Sequence, residues 1–152
     1  MAVPAIDQPA PDFSLPSTAG VEVSLAGQRG ATVLLAFFPL AFTRVCTTEL
    51  CDFSRDLPRF DEAGTRVFGI SVDSVPVLKE FRARHGITVD LLSDFKREVS
   101  RRYDTLLEDA FFSRRAYFIV DRDGILRWSW VEAEIGHKRD NHELLDQLAR
   151  LR

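Results

Sequence analysis

The longest apolar runs along the chain have the length of buried strands. Residues 31–38 (ATVLLAFF) form one run, and residues 65–72 and 117–120 form two more. Continuous apolar runs of this length are typical of strands in the middle of a sheet that is covered on both faces. The third run ends in a turn sequence, residues 121–124 (DRDG), and residues 125–130 then have the pattern of a strand. The last two strands are therefore predicted to form a hairpin.

Helical periodicity fills the intervals between the strands. After the first strand, apolar residues recur every three or four positions, as they do on one face of a helix: Leu50, Phe53, Leu57 and Phe60. Pro58 lies within this helix and is expected to kink it. Further helices are predicted over residues 75–85, 96–103 and 138–151. The order strand, helix, strand, helix, short strand, helix, hairpin, helix predicts an α/β protein with a thioredoxin-like fold, in which helices flank a central mixed sheet.

Composition and charge narrow the class of protein. A chain of 152 residues with 45% apolar residues can bury the core of one domain, predicted over residues 1–152, without disulfides or metals. The formal net charge is −3 and no basic stripe is present, which argues against a nucleic-acid partner. No apolar run has the length of a membrane span and no secretory signal is visible. We therefore expect a cytoplasmic protein with no membrane partner.

The two cysteines, Cys46 and Cys51, are the main candidates for chemistry. In a reducing compartment such a pair does not normally form a permanent structural bridge. Two cysteines alone cannot build a structural zinc site, and the three histidines have no ligand spacing relative to them. No glycine-rich phosphate loop or nucleotide fingerprint is present. The sequence thus predicts a protein that needs neither a metal nor a cofactor.

Cys46 follows the first buried strand after a short loop and lies at the start of the first helix. The free N–H groups and the positive dipole end of a helix favour the thiolate, which is the reactive form of cysteine. The alternative is a small buried hydrophobe, because free cysteine is among the most buried residue types. Position alone leaves both interpretations open.

Two motifs favour the reactive interpretation. Pro39, Thr43 and Cys46 form the pattern PxxxTxxC directly after a buried strand, and Glu49 follows three residues later. Residues 115–121 (RAYFIVD) place an arginine before a strand that ends in aspartate. Together these segments resemble the two active-site motifs of peroxiredoxins. The resemblance extends along nearly the whole chain and is strongest to the alkyl hydroperoxide reductase E group and the bacterioferritin-comigratory (PrxQ) group.

The resemblance implies a role for each motif residue. Cys46 attacks the peroxide, and Arg115 and the loop N–H groups stabilise the negative charge that develops on the leaving oxygen. Thr43 offers a hydroxyl to the thiolate or the peroxide, and Pro39 shields the sulfur from water. Glu49 orients the arginine or stabilises the start of the helix.

Each of these roles has a simpler alternative. Thr43 would only bond the loop backbone, and Pro39 would only end the strand. Arg115 would be a surface residue. Arg114 would then be the catalytic arginine if the match to the motif is shifted by one position.

Cys51 lies five residues after Cys46, about 140° around the helix. On a helical projection it shares a side with polar residues (Thr47, Thr48, Arg55 and Glu62), which favours a redox role over burial in the core. Helix geometry separates the two Cα atoms by about 8–9 Å, beyond disulfide range, so the first turns would have to unwind for a bond to form. The PrxQ resemblance implies that Cys51 resolves the oxidised Cys46, and a bystander thiol is the alternative.

The complete prediction is a thiol-dependent peroxidase. Cys46 is expected to reduce hydrogen peroxide, organic hydroperoxides or peroxynitrite through a sulfenic acid, which Cys51 converts to an intramolecular disulfide. The implied reductant is a thioredoxin-like protein or a low-molecular-weight thiol. The rival functions are a one-cysteine peroxidase resolved by an external thiol, and a redox sensor or holdase without turnover. Family resemblance implies a homodimer packed through the active-site loop and residues 106–112, where Phe111 and Phe112 lie at the interface or, alternatively, in the core.

Overall fold

A mixed five-stranded sheet lies at the centre of the computed structural model, which describes residues 2–151. Both ends of the predicted domain, residues 1 and 152, lie outside the described residues. The strand order is β5-β4-β3-β8-β9. β3, β4 and β5 run parallel, and β8 and β9 complete the sheet as an antiparallel hairpin. The strands of the sheet are β3 (Thr32–Phe37), β4 (Thr65–Ser71), β5 (Asp90–Ser93), β8 (Ala116–Val120) and β9 (Leu126–Val131).

Within residues 2–151, four α-helices alternate with these strands in the predicted order. They are α1 (Arg44–Glu62), α2 (Val75–His85), α3 (Glu98–Arg102) and α4 (Asn141–Ala149). The α/β fold with helices around a central mixed sheet is therefore confirmed. Across residues 2–151, no helix combines the length and the apolar character that crossing a membrane requires.

The predicted helix bounds were wrong in two places. α3 is shorter than predicted because Arg97, just before it, has a left-handed backbone with φ 64°. α4 starts three residues later than predicted, since the Arg139 backbone N–H donates to the Tyr117 hydroxyl rather than entering a helix. α1, in contrast, continues through Pro58 to Glu62.

Two small antiparallel ribbons were not predicted. They consist of two or three residues per strand, too few for a hydrophobic period to show in the sequence. The first joins β1 (Ser14–Pro16) to β2 (Glu22–Ser24), and the second joins β6 (Leu106–Leu107) to β7 (Phe112–Ser113).

Side chains of β3 alternate between two hydrophobic cores, because successive residues of a strand point to opposite faces. Leu34 and Ala36 pack with α1, α2 and α4 on one face. Val33, Leu35 and Phe37 pack on the other face with Tyr103 and the N-terminal segment. Coverage of both faces explains why the strand has no polar residue after Thr32, and it fixes the point at which the chain leaves the sheet toward α1.

Candidate active site

The loop that leaves β3 places Cys46 in the first turn of α1. β3 ends at Phe37, and α1 begins at Arg44, so Cys46 is the third helical residue. Phe42, within the loop, has a left-handed backbone with φ 65°, which is strained for a bulky residue. The backbone N–H groups of the first helical turn have no partners within the helix, so they can stabilise a negative charge placed there.

Cys46 contributes to the floor of a cavity of about 290 Å³. Its side chain is 1% exposed, so the sulfur is shielded from bulk water. Apolar side chains dominate the lining, with Thr43, Arg44 and Arg115 as its polar members. The lining residues come from the β3–α1 loop and first helical turn, from β7, from the residue before β8 and from the loop after β9: Pro39, Leu40, Thr43, Arg44, Val45, Cys46, Phe112, Arg115, Ile135 and Gly136.

Arg115 directly precedes β8, beside the end of β3, and its guanidinium reaches the sulfur. Nη2 donates to the Cys46 Sγ at 3.2 Å and to the Ile135 carbonyl oxygen at 3.0 Å, and Nη1 donates to Glu49 Oε1 at 2.8 Å. Arg114 instead donates to the Ala133 carbonyl oxygen at the surface. The arginine brought to the sulfur is therefore Arg115 and not its neighbour.

The charge of Arg115 is stabilised although the side chain is buried. Burial alone would lower the pKa of Arg115, but the Glu49 carboxylate and the Cys46 sulfur more than offset it, and the pKa is raised. Nε of Arg115 is the one buried side-chain N–H within residues 2–151 that lacks a hydrogen-bond partner in the protein. A cation with a spare donor thus lies in the wall of the cavity.

Glu49 is bonded to Arg115 and does not line the cavity. It is 3% exposed, and its two oxygens accept hydrogen bonds from Arg115 and from the Tyr117 hydroxyl, as an ionised carboxylate does. Burial raises the pKa of Glu49, while the charges of Arg115 and Lys138 and the hydrogen bond from Tyr117 act in the opposite direction. Burial also raises the pKa of Tyr117, and the neighbouring Glu49 carboxylate raises it further. The tyrosine is therefore the proton donor in this contact.

Thr43 and Pro39 lie at the cavity in different ways. Thr43 precedes α1 and its hydroxyl donates to the Leu40 carbonyl oxygen at 2.7 Å, so its proton is used within the loop. Thr43 lines the cavity, and its hydroxyl oxygen can still accept a hydrogen bond. Pro39 is buried and lines the same cavity two residues after β3 ends.

The structure corrects the predicted environment of Cys51. Its side chain is half-buried and packs against the core on the α1–α2 side of the sheet, whereas the helical projection grouped it with exposed polar residues. The Cys51 thiol donates to the His85 carbonyl oxygen at the end of α2, with 3.8 Å between sulfur and oxygen. The helical projection gave the correct angular position of Cys51 around α1. It did not show that α2 packs over that side of α1.

Two contributors to the site were missed in the sequence. Tyr117 holds Glu49, but it lies inside an apolar run where an aromatic residue indicates only a buried strand. Ile135 supplies a carbonyl oxygen to Arg115, and a backbone acceptor leaves no signal in a sequence. The position of Tyr117 two residues after Arg115, on the same face of β8, was the one available clue.

Metal-binding residues do not converge anywhere in the described part of the chain. Between residues 2 and 151 no three His, Cys, Asp or Glu side chains are grouped to hold a metal ion. His137 and His142 are exposed and each lies near a carboxylate of its own segment. The side chains that meet beside the cavity are the Cys46 thiol and the Arg115 guanidinium, with the Glu49 carboxylate bound to the arginine.

The fold and this site define a class of protein: a thioredoxin-like domain with a cysteine thiol at a helix N-terminus, paired with a buried arginine. Comparison with known proteins agrees, since the AhpC/TSA family matches residues 6–129. Alkyl hydroperoxide reductase E of Mycobacterium bovis is 41% identical over 145 residues, which span 93% of this chain and 94% of that protein. The mitochondrial thioredoxin-dependent peroxide reductase of Drosophila melanogaster is 38% identical over 151 residues, 92% of this chain and 64% of that protein.

Solved structures show the same relationship. The crystal structure of AhpC from Enterococcus faecalis superposes with a TM-score of 0.90 at 27% identity, covering 96% of this chain and 91% of that one. The chain belongs to the AhpC/TSA family of peroxiredoxins, and it is a thiol peroxidase. The predicted family, enzyme class and thioredoxin-like fold are thereby confirmed.

Proposed function

We propose that Cys46 is the peroxidatic residue and that Cys51 resolves it in an intramolecular, two-cysteine cycle. The observation that supports the first part most strongly is the contact of 3.2 Å between Arg115 Nη2 and the Cys46 sulfur at the start of α1. A cation and a helix N-terminus both favour the thiolate, which is the nucleophile.

The first step transfers one oxygen atom. The Cys46 thiolate attacks the oxygen of ROOH that bears the hydrogen, the O–O bond breaks, and Cys46 becomes a sulfenic acid. The alkoxide RO⁻ leaves and takes a proton from water to give ROH. Negative charge moves from sulfur to the leaving oxygen, and Arg115 can follow it because its Nε–H has no acceptor in the protein.

The walls of the cavity give a reason to expect organic hydroperoxides among the substrates. Leu40, Val45, Phe112 and Ile135 surround the approach to Cys46 with apolar surface. Such surface gains free energy by covering the alkyl part of ROOH, whereas hydrogen peroxide has no such part. Hydrogen peroxide and peroxynitrite remain predicted substrates on the strength of the sulfur chemistry alone.

In the second step, the Cys51 thiol condenses with the Cys46 sulfenic acid. The sulfur–sulfur bond forms and one water molecule leaves, so both cysteines end one electron more oxidised than as thiols. α1 is regular from Arg44 to Glu62, which separates the two Cα atoms by about 8–9 Å. The first turn must therefore unwind, and the release of Cys51 from the His85 carbonyl oxygen accompanies this change.

After one equivalent of peroxide without reductant, we expect the intact mass to fall by about two hydrogen atoms per chain, with no disulfide-linked dimer. The physical reason is that a sulfenic acid condenses readily with a thiol on the same helix once that helix frays. Intact mass spectrometry after alkylation of free thiols, together with a non-reducing gel, measures both. A stable oxygen adduct on Cys46 with Cys51 still alkylated would instead show a one-cysteine peroxidase.

The reducing partner is proposed by chemical class. A thioredoxin-like protein or a low-molecular-weight thiol attacks the disulfide, forms a mixed disulfide and restores both thiols at the expense of its own oxidation. The name of the Drosophila relative states that it depends on thioredoxin, which supports this class. A redox sensor or holdase would be oxidised once without turnover in the presence of such a reductant.

We propose a homodimer formed through the active-site loop and residues 106–112, which border the same cavity. Phe42 and Phe111 are 45% and 46% exposed, so the alternative that Phe111 belongs to the core is wrong. Phe112 is half-buried and lines the cavity. Exposed aromatic side chains beside a functional cavity are typical of interface residues.

Sedimentation at micromolar concentration should give twice the chain mass of 17.2 kDa. Phe111→Ser should weaken the dimer about 30-fold or more, as loss of an aromatic hot spot does. Val21→Ser, at the most exposed large apolar residue of the β1–β2 ribbon, should leave it unchanged. A protein that sediments as a monomer before any substitution would contradict the proposed interface.

Two further predictions rest on the sequence. One domain is proposed over residues 1–152, together with a cytoplasmic location. Immunogold labelling or fractionation would test the location, and recovery of the protein outside the cytoplasm would contradict it.

A further inference from the structure

The peptide unit between Leu40 and Ala41 is held at both ends. Its carbonyl oxygen accepts from the Thr43 hydroxyl at 2.7 Å, and its N–H donates to Asp73 Oδ2 at 2.8 Å. The first contact lies within the loop and the second reaches it from another element. Asp73 thus joins the loop before Cys46 to the connection between β4 and α2.

Asp73 is itself firmly positioned. Its Oδ2 also accepts from the Ser71 hydroxyl at 2.7 Å, and its backbone N–H donates back to the Ser71 oxygen at 3.2 Å. The Ser93 hydroxyl at the end of β5 donates to the Asp73 carbonyl oxygen at 2.6 Å. The carboxylate is therefore part of the rigid edge of the sheet and not a mobile surface group.

The residue next to the held peptide is strained. Phe42 has φ 65°, a left-handed conformation that a bulky residue adopts only when its surroundings enforce it. Its ring contacts Phe81 of α2, with ring centroids 5.2 Å apart, while nearly half of the side chain is exposed. Without the hydrogen bond from Ala41 to Asp73, the loop would relax toward ordinary backbone angles, and the first turn of α1 would lose its anchor.

We propose that Asp73 is a positioning residue that sets the balance between the folded and unwound forms of the active-site loop. The inference rests on the two-cysteine cycle proposed above. In the folded form, the anchored loop holds Cys46 against Arg115 for attack on the peroxide. In the unwound form, the Cys46 sulfenic acid reaches Cys51 and water leaves as the disulfide forms. Asp73 favours the first step and slows the second.

Asp73→Ala removes the acceptor, and Asp73→Asn keeps a side-chain oxygen that can accept from Ala41 and Ser71. A hydrogen bond to a charged group commonly changes an equilibrium by about tenfold or more. In Asp73→Ala we expect hydrogen exchange in the peptide over residues 38–50 to accelerate about tenfold. The rate constant for Cys46 oxidation should fall by a similar factor, and disulfide formation should accelerate. Asp73→Asn keeps the acceptor but loses its charge, so all three rates should change in the same direction and by clearly less than in Asp73→Ala.

Asp56→Ala is the matched control, because Asp56 also joins α1 to another element but far from the loop. Its Oδ2 accepts from the Asn141 amide of α4 at 2.9 Å. This substitution should lower the melting temperature and leave the rates of loop hydrogen exchange, Cys46 oxidation and disulfide formation unchanged. It separates general destabilisation from an effect on the loop.

Hydrogen-exchange mass spectrometry of the reduced protein decides the proposal without reference to a disulfide. The proposal would be overturned if Asp73→Ala had the same hydrogen-exchange rate and the same rate of Cys46 oxidation as the unaltered protein. It would also be overturned if Asp73→Asn had the same defects in exchange and oxidation as Asp73→Ala, or if the Cys46 sulfenic acid formed the disulfide more slowly in Asp73→Ala. If the unaltered protein forms no disulfide at all, the two-cysteine cycle fails, and exchange and oxidation still decide the role of Asp73.

Discussion

Replacing Cys46 with serine should abolish peroxide consumption, whereas Cys51→Ser should leave the first oxidation intact. The serine hydroxyl stays protonated at neutral pH beside Arg115, so the nucleophile is lost while the fold keeps a side chain of similar size. In the proposed cycle Cys51 acts only after the oxygen transfer, and its thiol contacts the His85 carbonyl oxygen rather than the Cys46 sulfur. Stopped-flow measurement of peroxide loss on mixing with each reduced variant checks both expectations. Fast consumption by Cys46→Ser would remove the proposed role of this residue.

Arg115→Ala should slow the oxidation of Cys46 by about 10²–10³, which is the effect of losing one preorganised donor at a developing charge. The guanidinium is the cation in contact with the sulfur, so no other side chain replaces it there. Single-turnover kinetics measures the effect. Arg114→Ala is the matched control and should leave the rate unchanged, since its side chain donates to the Ala133 carbonyl oxygen and not to the sulfur. A larger effect from Arg114→Ala would contradict the assignment.

Much of the fold was predictable because it depends on local patterns. Continuous apolar runs predicted β3, β4 and β8, and the turn sequence before β9 predicted the hairpin. The bounds of α4 were not predictable, since they depend on a hydrogen bond between Arg139 and a tyrosine in another strand. The two small ribbons are held by contacts of two or three residues, which are too short to produce a period.

The candidate site divides in the same way. Cys46 and Arg115 lie in motifs next to buried strands, and the resemblance of these motifs to those of peroxiredoxins implied that they meet. The pairing of β3 with β8, which brings them together, was not predicted. The environment of Cys51 did not follow, because its burial depends on the packing of α2 over α1. The contacts of Asp73 and Tyr117 join segments 32 and 68 residues apart, and neither residue has a local pattern that reveals its partner.

The central claim is that Cys46 takes one oxygen atom from a peroxide. Peptide mapping by mass spectrometry tests it most directly, with reduced Cys51→Ser protein, one equivalent of peroxide and a trap for sulfenic acids. We predict that the trap is attached to Cys46 and that the peroxide is consumed in equal amount. An unmodified Cys46 beside intact peroxide, or the adduct on another residue, would contradict the account.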